Sequence, residues 1–250
     1  MSIFKFFNLK ITIYFISMTS KIVTKTTAER LVKDIKEIMR SNLSKDRIYY
    51  KHDDSNMLLG HALIIGPDNT PYANGFFLFR LHFPCDYPYS PPKLEYLTND
   101  GRTRFHPNFY KNQKVCVSLL NTWKGEQWTS CQTIRSILIT LQSLMDDKPL
   151  LNEPGITEQH IDFNVYNQIV TYKTLEVAIG KVIAKELFVE EYNIFWSDIV
   201  DNFIKNYNNI IEKLPNTKDD IITCGIYRMQ LKTSYKKLND LFTKFYKEYK

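Results

Sequence analysis

Apolar residues recur along this chain with two periods, and the period changes mark out its elements. Ala28, Leu31, Ile35 and Ile38 fall at helical spacing behind a threonine pair, Thr26 and Thr27. A first helix is therefore expected to begin there, capped by a threonine hydroxyl. The text then becomes rich in β-branched and aromatic residues at 48–50, 57–65, 76–83 and 94–97. The breaks between these runs are short and made of Asp, Asn, Gly and Pro, which predicts an antiparallel meander and not βαβ crossovers. A second helix is expected from Ile134 to Met145, ending before Pro149. Between them, residues 101–130 are irregular, with Gly101, Pro107, Gly125 and two tryptophans. An irregular stretch of roughly 30 residues within one compact domain is usually functional.

Beyond Pro154 the pattern is helical. Val165, Ile169, Tyr172, Leu175, Ile179 and Val182 form one stripe, and Ile199, Phe203, Tyr207, Ile210 and Leu214 a second. A third runs through Leu231, Tyr235, Leu238, Phe242, Phe245 and Tyr249, expected to be a helix docked on the body or on a partner. The division implied is an apolar lead over residues 1–20, a core over 21–160 and a helical extension over 161–250. The lead, MSIFKFFNLKITIYFIS, contains Lys5 and Lys10 and is shorter than the ~20 apolar residues a membrane span needs. It reads as an untranslated or disordered lead with the start at Met18, as an interaction helix, or as a targeting segment.

The 250 residues carry 33 Lys and Arg against 27 Asp and Glu, a net charge of +6. Basic groups dominate residues 1–50 and acidic ones residues 151–200, a blocking that suits protein partners better than a nucleic-acid stripe. Cys85, Cys116, Cys131 and Cys224 contain no C-x-x-C, so the thiols are expected to be reduced, as in cytoplasm or nucleus and not in a secreted protein. No tight pairing of His and Cys marks a metal site.

Cys116 lies eight residues after Asn108 in the irregular stretch. A thiolate is the natural carrier of an acyl group as a thioester. Transfer of that acyl group to an amine passes through a tetrahedral oxyanion, which an asparagine amide can stabilise. His106 is either a base or a structural residue bonding the backbone, and the second role is favoured.

The chain also contains Ile65 through Phe77 (IGPDNTPYANGFF), Phe83 through Pro92 (FPCDYPYSPP), His106-Pro107-Asn108 and Trp128-Thr129-Ser130. With Cys116, these motifs jointly resemble the ubiquitin-conjugating enzyme family, the first being similar to its strand–loop–strand signature and the second to its FP-x-x-YP-x-x-PP loop. His106-Pro107-Asn108 resembles its HPN, Cys116 falls at its active-site cysteine, and Trp128-Thr129-Ser130 resembles its W-S-P. The likeness spans about residues 26–155 and extends into the tail in the C-terminally extended, Z-type branch. It implies an α+β fold: a four-stranded antiparallel meander flanked by helices, plus a C-terminal helical extension. Cys116 would accept ubiquitin or a ubiquitin-like modifier from an activating enzyme and pass it to a substrate lysine or a ligase. No cofactor would be bound; ATP would be used upstream by the activating enzyme.

The resemblance also implies site roles. Asn108 would stabilise the oxyanion, and Glu153 would orient the incoming lysine unless it is only a loop charge. His106, Pro107 and Ser118 would support the site, Ser118 standing where many relatives have an acid. Arg30, Lys33, Lys36, Tyr89 and Ser130 would face the activating enzyme and ligase. The alternative is a non-catalytic ubiquitin-binding scaffold of the same fold.

Overall fold

The structure, a computed structural model, describes residues 23–250 apart from 126, 188 and 215–219. The expectations for the lead at 1–20 and for Met18 lie outside the described residues. Helix α1 spans Lys25–Arg40. Its cap is Thr24, earlier than expected, whose hydroxyl accepts from the Thr27 N–H at 3.1 Å. Thr27 cannot serve as the cap because it is buried inside the first turn, donating to the Cys85 carbonyl at 2.7 Å.

Strands β1 (Ile48–His52), β2 (Leu59–Ile65), β3 (Phe76–His82) and β4 (Lys93–Tyr96) pair in sequence order, all antiparallel. This is the meander the short polar breaks predict. Gly66 ends β2 where the chain doubles back against itself. A Cβ there would stand 1.8 Å from the Tyr72 carbonyl oxygen, so only glycine fits.

Strands β2 and β3 are buried along nearly their whole length, and the register shows why. Tyr49, Leu63 and Leu78 are successive partners across the sheet, as are Lys51, His61 and Arg80. These residues share one face, because side chains alternate along a strand. That face meets the C-terminal extension. Asn202 donates to the Tyr49 hydroxyl at 2.9 Å, Lys51 to the Ile194 carbonyl at 2.6 Å, and Arg80 pairs with Glu191. On the opposite face, Phe77 and Phe79 pack edge-on against Phe105 and Phe109. Helix α2 (Ile134–Ser143) packs on β2, with Thr133 and Ser136 closing a reciprocal cap at its start.

The extension contains α3 (Phe163–Lys173), which widens into a π-helical stretch over Thr174–Lys181, then α4 (Val189–Asn193), α5 (Trp196–Lys205) and α6 (Tyr207–Ile211). It is not wholly helical. Strands β5 (Ile221–Cys224) and β6 (Met229–Lys232) form a separate hairpin before α7 (Tyr235–Tyr249). The third apolar stripe is thus split. Leu231 belongs to a strand, and the helical part starts at Tyr235. Helix α7 docks on the body through Phe242 and Phe245, which meet the Phe203 ring at 5.8 and 5.0 Å. One continuous set of buried side chains runs through core and extension. No helix among the described residues is long and apolar enough to cross a membrane.

Candidate active site

The irregular stretch folds into a tight arm that returns on itself. Phe109 bridges to both His106 and Val115, and the Tyr110 N–H donates to the Lys114 carbonyl at 2.9 Å. This return brings Asn108 and Cys116 together. The Cys116 N–H donates to the Asn108 carbonyl at 2.9 Å, and the Asn108 side-chain amide donates to the Cys116 carbonyl at 2.5 Å. An amide nitrogen carries two hydrogens, so one donor remains beside the cysteine after that bond is made.

His106 holds this geometry from beneath. It is fully buried, and its Nδ1 accepts the Asn108 backbone N–H at 2.9 Å. Burial, with the neighbouring Arg104 charge adding to it, pushes its pKa down to about 3. The Leu144 backbone opposes that drop, although Nε2 lacks a hydrogen bond of good geometry. A neutral, enclosed imidazole is a support for the turn and not a proton shuttle at neutral pH. Pro107 is buried within the same turn.

Cys116 itself is only 3% exposed. The chain beyond it folds back on the residues that flank it. After a short 3₁₀ turn at Ser118–Leu120, Asn121 takes a left-handed conformation and Thr122 folds back, accepting from the Val117 N–H at 2.8 Å. Gly125, at φ 135°, lies so close to half-buried Ser118 that a Cβ would sit 3.0 Å from the serine Cβ. The turn therefore crosses residues 115–118.

Glu153 follows a short 3₁₀ turn over Pro149–Asn152, and its carboxylate accepts from the Tyr227 hydroxyl at 2.5 Å. Tyr227 comes from the β5–β6 loop. Arg104 lies over its ring at 5.1 Å and over Tyr110 at 3.5 Å, and donates to the His106 and Pro107 carbonyls at 3.1 and 2.5 Å. Tyr166 of α3 donates to the Arg104 carbonyl at 2.9 Å. So Glu153 connects to the His106–Asn108 turn through Tyr227 and Arg104, two residues the sequence reading missed. Arg104, a cation two positions before His106 in an irregular stretch, offered a weak signal. Tyr227, 74 residues from its partner, offered none.

The five residues expected to face partners lie on α1 and on two loops tied to it or to each other. Trp128 donates to the Pro88 carbonyl at 2.7 Å, tying the 84–91 loop to the 128–132 loop. Tyr89 projects from this face at 71% exposure, and Ser130 is exposed beside it. Lys33 and Lys36 are exposed on α1. Arg30 is turned inward. Its guanidinium pairs with Asp34 at 2.7 Å and donates to the Ser130 and Gln132 carbonyls, so it fastens the loop to the helix.

Residues 30–173 match the family model described as ubiquitin-conjugating enzyme. The chain belongs to the ubiquitin-conjugating enzyme family. It is 38% identical over 182 residues to ubiquitin-conjugating enzyme E2 Z of Danio rerio, covering 72% of this chain and 54% of that protein. It is 42% identical over 153 residues to the Homo sapiens E2 Z, covering 60% of this chain and 43% of that one. The chain thus spans about half the length of these curated relatives. Among solved structures, human ubiquitin-conjugating enzyme E2 G1 aligns at 31% identity and a TM-score of 0.42, over 47% of this chain and 93% of that one. The conjugating-enzyme resemblance carried by residues 65–92, 106–116 and 128–130 falls within the matched region, and the Z-type likeness agrees with these relatives.

Proposed function

We propose that this conjugating-family protein accepts the C-terminal carboxyl of ubiquitin, or of a ubiquitin-like modifier, as a thioester on Cys116. The observation that carries the reading is the paired hydrogen bonding of Asn108 and Cys116, in which the Asn108 amide donates to the Cys116 carbonyl and keeps a second N–H. In charging, the Cys116 thiolate attacks the modifier's thioester on an activating enzyme, and the enzyme's own thiolate departs. ATP is spent upstream of that step. In discharge, a lysine amine attacks the Cys116 thioester, the free Asn108 N–H stabilises the oxyanion, and the C–S bond breaks to release the Cys116 thiolate. Glu153 retains one carboxylate oxygen beyond its bond to Tyr227, with which it orients the amine and helps take the proton that the nitrogen sheds. A ligase cysteine is an equivalent acceptor.

Lys33, Lys36, Tyr89 and Ser130 form the surface for the activating enzyme and ligase, with Arg30 bracing it from inside. Four free thiols fit a reducing compartment, cytoplasm or nucleus.

The low exposure of Cys116 favours a second reading, a non-catalytic ubiquitin-binding scaffold of the same fold. Incubation with modifier, ATP and activating enzymes separates the two. The catalytic reading expects an adduct that thiols cleave and that Cys116→Ala abolishes. The scaffold reading expects modifier binding without an adduct.

A further inference from the structure

A cleft of about 560 Å³ opens where the core meets the C-terminal hairpin. The loop at 101–103 and Lys111 form one wall, α3 contributes Ile169 and Lys173 to the floor, and β6 forms the other wall. Lys173 is neutralised there, with its ammonium 2.5 Å from Glu176 and 3.5 Å from Asp100. Lys111 donates to the Tyr227 carbonyl at 3.0 Å. Arg102, Arg228 and Lys232 are exposed on the two walls, and among the described residues none of the three is paired with a carboxylate.

The strand wall has a second property. All four residues of β6, Met229 to Lys232, line the cleft. Neighbouring side chains of a strand point to opposite faces, so a cavity touching four in succession runs along the strand's edge. The hairpin has two strands, β5 takes one edge of β6, and among the described residues no backbone hydrogen bond takes the other. An open edge is a template for an added strand. A lysine on such an edge opposes strand addition in general, and an added strand with acidic side chains opposite it offsets that opposition.

We propose that this cleft binds an extended acidic segment of a protein substrate, which adds along the β6 edge and neutralises Arg102, Arg228 and Lys232. Lys111, on the cleft wall, is five residues from Cys116, so the two are within about 17 Å even for a fully extended chain. A segment held there keeps its flanking lysine close to the sulfur. The assignment of the segment to a substrate rests on the conjugation reading; the binding of an acidic strand does not.

The test uses the full chain and a short fluorescein-labelled peptide of alternating Glu and Thr with one lysine, read by fluorescence anisotropy with no activating enzyme or nucleotide present. Saturable binding is expected, weakened about tenfold or more when Arg228→Glu and Lys232→Glu are combined, and less by the corresponding glutamine pair. Thermal melting confirms that both pairs fold. A peptide N-methylated at alternate residues is expected to bind far more weakly, because strand addition needs its amides. Four results would overturn the proposal: no binding by the wild-type protein, binding indifferent to charge reversal, binding indifferent to N-methylation, or a single-stranded oligonucleotide that binds as tightly with the same sensitivity. For the substrate assignment, protein charged beforehand should discharge to the acidic peptide faster than to a Gln-for-Glu version. Equal rates would sink that assignment while leaving the binding result intact, and failure of charging itself would bear on the conjugation reading alone.

Discussion

The Tyr227 hydroxyl donates to the Glu153 carboxylate at 2.5 Å, joining the loop of the C-terminal hairpin to the segment that follows α2. The same tyrosine ring lies under the Arg104 guanidinium, which holds the His106 and Pro107 carbonyls. The extension is thereby part of the apparatus that fixes the loop carrying Asn108.

Tyr227→Phe removes one donor to a charged acceptor and leaves the ring in place. A loss of about 1.5–3 kcal/mol in unfolding free energy is expected, the usual size for a hydrogen bond to a charged group. Discharge to free lysine should slow more than charging, since Glu153 loses its fixed orientation before the amine. Urea denaturation and single-turnover discharge measure the two effects. Unchanged discharge would separate Tyr227 from the site.

A buried ion pair anchors the first helix. Asp34 is 1% exposed, takes Arg30 at 2.7 Å and accepts the Tyr87 hydroxyl at 2.5 Å. Asp34→Ala leaves the Arg30 charge and the Tyr87 hydroxyl without this partner. It should cost about 3–5 kcal/mol, as removal of one member of a buried pair does. Chemical denaturation checks it, and a loss below that of an ordinary surface substitution would contradict the network.

Stability should fall with acid in a window set by His106. Its pKa, ordinarily near 6.5, is about 3 in the folded protein, because burial disfavours the imidazolium. Protonation therefore favours the unfolded chain. The stabilisation is complete above about pH 6.5 and is lost as pH falls from there towards 3, at up to about 1.4 kcal/mol per pH unit. His52 and His61, also lowered chiefly by burial, act in the same direction. Denaturation midpoints across this range should slope less steeply in His106→Gln, whatever its absolute stability. Parallel slopes would refute the assignment.

Thiol labelling should follow exposure. Cys131 is exposed, Cys85 half-buried, and Cys116 and Cys224 buried. A small alkylating reagent is expected to modify Cys131 first in the uncharged protein and Cys116 more slowly, through opening of the 121–125 turn. Thr122→Val, which removes the bond to the Val117 N–H, should accelerate modification of Cys116 several-fold by peptide mapping. An unaltered rate would mean that this turn does not limit access.

The sequence revealed what periodicity and turn chemistry encode. Four β-rich runs with short polar breaks became the meander, and the apolar stripe before Pro149 became α2. Asp34 was not legible, since a carboxylate on an amphipathic helix reads as solvated surface until Arg30, Tyr87 and the Ile134 N–H are seen around it. The β5–β6 hairpin was missed because Leu231 falls in step with the helical stripe that follows. At the site, the pairing of Asn108 with Cys116 was legible through the family resemblance, since eight residues of spacing alone could leave them far apart. The tie from Glu153 to Tyr227 was not, because nothing local in either segment specifies a partner so distant in the chain.

The central claim is that Cys116 carries a modifier and Asn108 serves its release. The direct measurement follows the thiol-cleavable adduct through one cycle, in wild type, Cys116→Ala and Asn108→Ala. The account predicts an adduct in wild type, none in Cys116→Ala, and full charging in Asn108→Ala with discharge to lysine slowed about 10²–10³-fold. An adduct that persists without the Cys116 sulfur, or an Asn108→Ala protein that discharges at the wild-type rate, would contradict it.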